Sequence, residues 1–121
     1  QILRRSPGTR YRHYAPRARV VLVDQGDTHA LARALQEFRQ EGKAVGCIVH
    51  SRHLAKLESG DFFRVLPAPI DFFARYLYRT FRELDQEGAE IILVEKVLEE
   101  GLGAAVMDRL RRAALPTGKE S

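Results

Sequence analysis

At 121 residues the chain is long enough for one compact domain with a real core. A composition of 45% hydrophobic and 30% charged residues describes a globular protein, and no apolar run approaches the length of a membrane span. The net charge of +4 divides unevenly: residues 1–19 hold six arginines and no acid, and the remainder carries 14 basic against 16 acidic residues. A body that gripped a nucleic-acid backbone unaided would be basic, so any polyanionic partner is expected at the arm.

Residues 1–19 form that arm. Pro7-Gly8 signals a turn, and Ala15-Pro16 forces extended backbone before the first strand. Tyr11, His13 and Tyr14 alternate with Arg10 and Arg12. Guanidinium groups pair with phosphates and rings stack on bases, so this composition suits a segment that closes over a nucleotide. It equally describes a solvated linker between domains. The chain opens on Gln1, inside this linker-like stretch, which sets the expectation of a boundary within a longer protein, and no secretory signal is read before the fold.

Val20–Asp24 is a continuous, β-branched apolar run and predicts a buried strand. Asp27 is placed to cap a helix running to about Gly42, with Ala30, Leu31, Ala34, Leu35 and Phe38 on its inner stripe. Ala44–Val49 predicts a second buried strand, 52–57 a short helix, and Phe62–Leu66 a third strand closed by Pro67 and Pro69. The clearest helix spans Asp71–Glu87, with Phe72, Phe73, Tyr76, Leu77, Phe81 and Leu84 inward. Glu90–Glu95 predicts another strand and Leu102–Ala114 a last helix, with Val106, Met107 and Leu110 inward. Alternation of apolar strands with helices specifies an α/β, Rossmann-like three-layer fold with a mainly parallel sheet. The domain layout is an arm over 1–19, a body over 20–116 and a frayed tail over 117–121.

Ligands of open parallel sheets gather beyond the carboxyl ends of the strands. After the first strand, Asp24 to Asp27 is acidic and holds no glycine-rich fingerprint. After the second come His50, Ser51 and His53; after the last, Glu95, Glu99, Glu100, Gly101 and Gly103. Gly101-Leu-Gly103 before a helix is better explained by a turn and close packing than by phosphate binding, which three nearby carboxylates would oppose. His50 and His53, at i and i+3, could meet on one helical face, with His29 on a neighbouring strand end, but with no HExxH motif and no cysteine partner they read as polar surface histidines and no metal is expected. Arg109, Arg111 and Arg112 suit the carboxyl end of a helix. The single cysteine, Cys47, lies in an apolar run as a small buried hydrophobe, which fits a reducing, cytoplasmic setting.

The segment Ser6-Pro-Gly-Thr-Arg-Tyr-Arg-His-Tyr-Ala-Pro16 closely resembles the SPGxxYRHYAP stretch that opens the C-terminal Sua5 domain of the L-threonylcarbamoyl-AMP synthase (Sua5/YciO/YrdC) family. Glu99-Glu-Gly-Leu-Gly-Ala-Ala-Val-Met-Asp-Arg-Leu-Arg-Arg-Ala113 is similar to that family's EEGLGxAxxNRLRRA ending. Thr9 stands where Met is common and Asp108 where Asn is common; a carboxylate cannot donate a hydrogen bond from that position.

The resemblance implies an accessory domain of a nucleotidyltransferase that makes threonylcarbamoyl-AMP from L-threonine, bicarbonate and ATP with release of pyrophosphate, towards the t6A modification of tRNA. Catalysis, with ATP and Mg2+, would belong to an N-terminal YrdC-like domain of the same chain. Residues 1–121 would lack catalytic residues, cofactors and metal of their own and would be inactive alone. The arm residues Ser6, Pro7, Gly8, Arg10, Tyr11, Arg12, His13 and Tyr14 would gate that active site. The resemblance implies phosphate facing Arg12 or Arg10 and Tyr11 or Tyr14 walling the nucleotide. Two alternatives stand beside it: an independent Rossmann-like module with its own small ligand at the strand ends, and a module that contacts RNA through the arm.

Overall fold

The structure is a computed structural model and describes residues 16–58, 60 and 62–115. Four strands, β1 (Arg19–Val23), β2 (Val45–Val49), β3 (Phe63–Val65) and β4 (Ile91–Glu95), alternate with four helices, α1 (Thr28–Gln40), α2 (Arg52–Ala55), α3 (Ile70–Gln86) and α4 (Leu102–Ala114). The strands form one sheet in the order β1-β4-β2-β3, every pairing parallel. The α/β class expected from the sequence is the one observed.

Helices cover both faces, which is why β2 and β4 read as unbroken apolar runs: all five residues of each are buried. Val45, Cys47, Val49, Ile91 and Leu93 point to the face covered by Leu31 and Leu35 of α1 and Leu54 of α2. Ile48, Ile92 and Val94 point to the other, under Phe73, Leu77, Phe81 and Leu84 of α3 and Val106, Met107 and Leu110 of α4. Full burial of one such Ile or Leu side chain stabilises the fold by about 1.5–3 kcal/mol. Burial pushes the Cys47 thiol up to about 12, with the charges of Glu58 and Arg39 acting secondarily in opposite directions.

Local chemistry sets the element ends. The Asp27 carboxylate accepts from the Ala30 N–H (2.9 Å) and starts α1, as the sequence predicts. Ser51 starts α2 in the same way, through the Leu54 N–H (3.3 Å). Arg64 ties the short edge strand β3 to α3, its guanidinium reaching Glu83 (2.8 Å) and Glu87 (2.6 Å) at the helix's carboxyl end.

Three expectations shift. β1 starts at Arg19 and ends at Val23, because the β1–β4 register pairs Arg19 with Ile91 and Val23 with Glu95, and Asp24 turns out to solvent. Phe72 lies outside the inner stripe and is 42% exposed. In its place α3 buries Thr80, whose hydroxyl donates back to the Tyr76 carbonyl (2.8 Å) and so needs no partner across the core. The short second helix stops at Ala55, two residues early.

Candidate functional site

All four strand-to-helix connections meet at the carboxyl edge of the sheet. The centre of that edge is Glu95, the last residue of β4, 1% exposed. Its Oε1 accepts the N–H groups of His50 (2.9 Å) and Ser51 (3.0 Å), and its Oε2 accepts the Gly26 N–H (2.8 Å). One carboxylate therefore ties the ends of β1, β4 and β2 together. Burial by itself raises this carboxyl's pKa. The three N–H donors and the Ser51 hydroxyl outweigh it and hold the group below the usual carboxylate range. Glu95 is thus ionised and its lone pairs are engaged, which is the condition of a structural tie and not of a general base.

His50, read from the sequence as a surface histidine, instead packs beside it, because its ring is enclosed against Phe73 and the loop after β4. Its side chain is 5% exposed and its ring meets Phe73 edge-on at 5.2 Å. Nε2 lies 2.8 Å from the Lys96 carbonyl and 3.7 Å from Glu95 Oε1. A carbonyl only accepts, so Nε2 carries a hydrogen.

The loop after β4 is held at its start and at its entry into α4. Lys96 N–H donates to Val23 O (2.9 Å), Lys96 Nζ pairs with Asp24 (3.0 Å), and the buried Val97 N–H donates to Met107 Sδ (3.4 Å). Gly101, with φ 55° and ψ −127°, turns the chain into α4 through backbone that side chains avoid. At Gly103 a Cβ would lie 2.0 Å from the Leu98 carbonyl oxygen, so α4 and the loop touch where only glycine fits. The turn and close packing read from Gly101-Leu-Gly103 are what these residues do.

These connections enclose a cleft of about 280 Å3 lined by Gln25, His50, Ala68, Ile70, Val97, Leu98 and Glu100. It sits where the connections diverge: α1 leaves β1 for one face of the sheet and α4 leaves neighbouring β4 for the other.

The candidate residues read from the sequence separate in space. Ser6, Pro7, Gly8, Arg10, Tyr11, Arg12, His13 and Tyr14 lie outside the described residues. The arm's point of attachment is described: Arg17 N–H and Ala18 N–H donate to the Asp85 carboxylate (2.9 and 3.2 Å) at the end of α3. This clamp holds the arm's base at the amino edge of the sheet, opposite the cleft. The three carboxylates expected to crowd the last loop do not act together: Glu95 is buried, Glu99 pairs with Arg111, and Glu100 alone reaches the cleft. His29 pairs with Arg33 (3.0 Å), away from His50. Among the described residues no group of three or more His, Cys, Asp or Glu is arranged to hold a metal ion. Arg112 pairs with Asp108 (3.1 Å) and Arg109 lies over Tyr78 (5.6 Å). No helix among the described residues is long and apolar enough to cross a membrane.

Gln25, Ala68, Ile70 and Asp85 carry no sequence signal as site residues. His50, Glu95 and Glu100 did carry one, as polar residues at or after the ends of apolar strands.

Residues 2–115 match the family model described as threonylcarbamoyl-AMP synthase, C-terminal domain. The threonylcarbamoyl-AMP synthase of Pyrococcus abyssi is 40% identical over 114 residues, which cover 91% of this chain and 32% of that protein. Its counterpart in Bacillus subtilis is 32% identical over 111 residues, covering 90% and 32%. The chain thus spans about a third of the length of these relatives. Among solved structures, P. abyssi Sua5 complexed with L-threonine superposes with a TM-score of 0.69 at 36% identity, over 90% of this chain and 32% of that one. A variant of the same protein with a histidine and the adjacent tyrosine both changed to alanine gives 0.65 at 32% identity, over 79% and 29%. The C-terminal Sua5 domain of Pyrococcus horikoshii, crystallised as a separate domain, gives 0.63 at 30% identity, over 80% of this chain and 93% of that one.

Proposed function

The chain belongs to the family of threonylcarbamoyl-AMP synthase C-terminal domains, and from that premise we propose that it serves as the accessory domain and active-site linker of such a synthase. The whole enzyme would convert L-threonine, bicarbonate and ATP to threonylcarbamoyl-AMP with release of pyrophosphate, towards t6A in tRNA. An upstream YrdC-like domain would supply the catalytic residues and hold ATP and Mg2+. The arm would close over that site, Arg12 or Arg10 facing phosphate and Tyr11 or Tyr14 walling the nucleotide.

The observation that carries this reading is the extent of the match: the family model runs from residue 2 through the arm to the end of α4, while two-thirds of each relative lies outside it. The clamp at Asp85 agrees with it. A gating arm needs a fixed base and a free reach, and two hydrogen bonds fix the base at Arg17 and Ala18. The histidine–tyrosine variant of the P. abyssi protein changes the same two residue types that stand side by side here as His13 and Tyr14.

The test is threonine- and bicarbonate-dependent pyrophosphate release by the full-length enzyme, by its upstream domain alone, and by the upstream domain mixed with residues 1–121. Activity lost without this chain and restored by it supports the gating role, and Arg12→Ala with Tyr14→Ala should remove that restoration. Full activity of the upstream domain alone refutes it.

A further inference from the structure

We propose that the outer face of α3 and α4 binds single-stranded RNA, through its phosphate backbone and a stacked base. The sequence places any polyanionic partner at the arm, because the rest of the chain averages slightly acidic. The fold separates the charges behind that average. On α3, the residues opposite the buried stripe are Arg75, Arg79 and Arg82, at the i, i+4, i+7 spacing of one ridge. All three are exposed, and the ridge runs about 10 Å along the helix axis. α4 packs beside α3 on the same side of the sheet and adds Arg109, whose guanidinium lies over Tyr78 of α3.

The acids of α3 do not neutralise this ridge. Glu83 and Glu87 hold Arg64 of β3, and the Asp85 carboxylate holds the Arg17 and Ala18 N–H groups. Arg79 approaches Glu83 only to 3.9 Å. Arg75, Arg82 and Arg109 pair with no carboxylate among the described residues. On α4, Asp108 is matched by Arg112. Asp71 is the acid that remains, at the amino end of the ridge. Attraction for a polyanion therefore survives on this face of an otherwise balanced body.

Aromatic rings order these arginines. Arg75 lies over Phe72 (5.6 Å), Arg79 over Tyr76 (4.9 Å) and Arg109 over Tyr78 (5.6 Å). A guanidinium resting on a ring keeps its edge N–H groups for a phosphate, so the contact fixes the side chain without using its donors. Phe72 is 42% exposed and offers ring surface to an unpaired base. An acidic peptide would use the arginines and gain nothing from that ring, and a duplex keeps its bases stacked inside. A single strand uses both features. The choice of RNA over DNA rests on the reading above, in which the enzyme serves a tRNA modification.

The test is a fluorescence-anisotropy titration of labelled oligouridine with the 121-residue chain, a domain type crystallised separately from P. horikoshii, repeated over a range of salt concentrations. Saturable binding at roughly 1–100 μM, weakening with salt, is expected. The arm carries arginines of its own, so variants of the ridge decide the matter. Changing Arg75→Gln, Arg79→Gln, Arg82→Gln and Arg109→Gln together should weaken binding by roughly tenfold or more. It should also lower the slope of log affinity against log salt by roughly 2–3, at about 0.7 for each arginine. Phe72→Ala should weaken binding by roughly fivefold or more and leave that slope in place. Both variants should keep the parent's circular dichroism spectrum and, in the full-length enzyme, its pyrophosphate release. The proposal is overturned if the fourfold variant binds like the parent, which would assign all binding to the arm, or if Phe72→Ala does. It is equally overturned if polyglutamate displaces the RNA as well as unlabelled RNA does, or if oligodeoxyuridine binds more tightly than oligouridine. Loss of pyrophosphate release in the fourfold variant would also overturn it, making the ridge a contact with the upstream domain. RNA binding that fails while pyrophosphate release persists refutes this inference and leaves the enzymatic reading standing.

Discussion

Replacing Glu95 by glutamine keeps the shape of the side chain and removes its charge. In the parent, two carboxylate oxygens accept three N–H groups that have no other acceptor at that edge of the sheet. Glutamine keeps one acceptor, which can stay with His50 and Ser51, and turns an NH2 towards the Gly26 N–H. One charge-assisted bond, worth about 1.5–3 kcal/mol, is lost and the other two become neutral. Relief from burying a charge offsets part of this, leaving a net cost of about 2–3 kcal/mol against the 5–15 kcal/mol typical of a domain. Urea denaturation followed by far-UV circular dichroism measures it. The pH dependence is the sharper test. Folding holds this carboxyl below its ordinary value of 4.5, so its contribution is complete above that value and is lost as pH falls through the folded pKa. Glutamine does not titrate. The gap between parent and Glu95→Gln should therefore be widest near neutrality and shrink below about pH 4.5. A variant within about 0.5 kcal/mol of the parent at neutral pH, or a gap constant down to pH 3, would falsify the account of Glu95 as an ionised tie.

Gly103→Ala should destabilise by about 3 kcal/mol, since its Cβ would meet the Leu98 carbonyl at 2.0 Å; Gly46→Ala, facing the movable Leu84 methyls at 3.3 Å and the Phe62 carbonyl at an ordinary 3.5 Å, should cost clearly less in thermal melts of the two variants. Asp85→Ala should remove about 1–2 kcal/mol and let limited proteolysis advance from the arm to Arg17 and Ala18, whose N–H groups it releases; an unchanged cleavage pattern would show that the clamp does not hold the arm's base. Cys47, buried and with its thiol pushed up to about 12, should react with a disulfide reagent near pH 8 on the order of a thousandfold more slowly than a free thiol until urea unfolds the chain; rapid labelling of the native protein would contradict that burial.

The sequence alone determined the fold class and almost every element, because the two central strands are buried on both faces and each long helix carries one apolar stripe. Val45–Val49 and Ile91–Glu95 read as interior strands, and Asp27 announced a helix start through a hydrogen bond that spans three residues. The motifs at the two ends carried the family for the same reason: they are contiguous in the chain. What joins residues far apart in sequence was decided only by tertiary structure. Strand order 1-4-2-3 places β4 between β1 and β2, and nothing local encodes it. That order alone brings Gly26, His50 and Ser51 onto Glu95, 44 to 69 residues away, and sets Gln25, Ile70 and Glu100 around one cleft. It also splits Glu95, Glu99 and Glu100, neighbours in sequence, into a buried tie, a surface ion pair and a cleft wall. A side chain's charge is written in the sequence, but the groups that face it, and so what it can do, follow from how the crossovers pack.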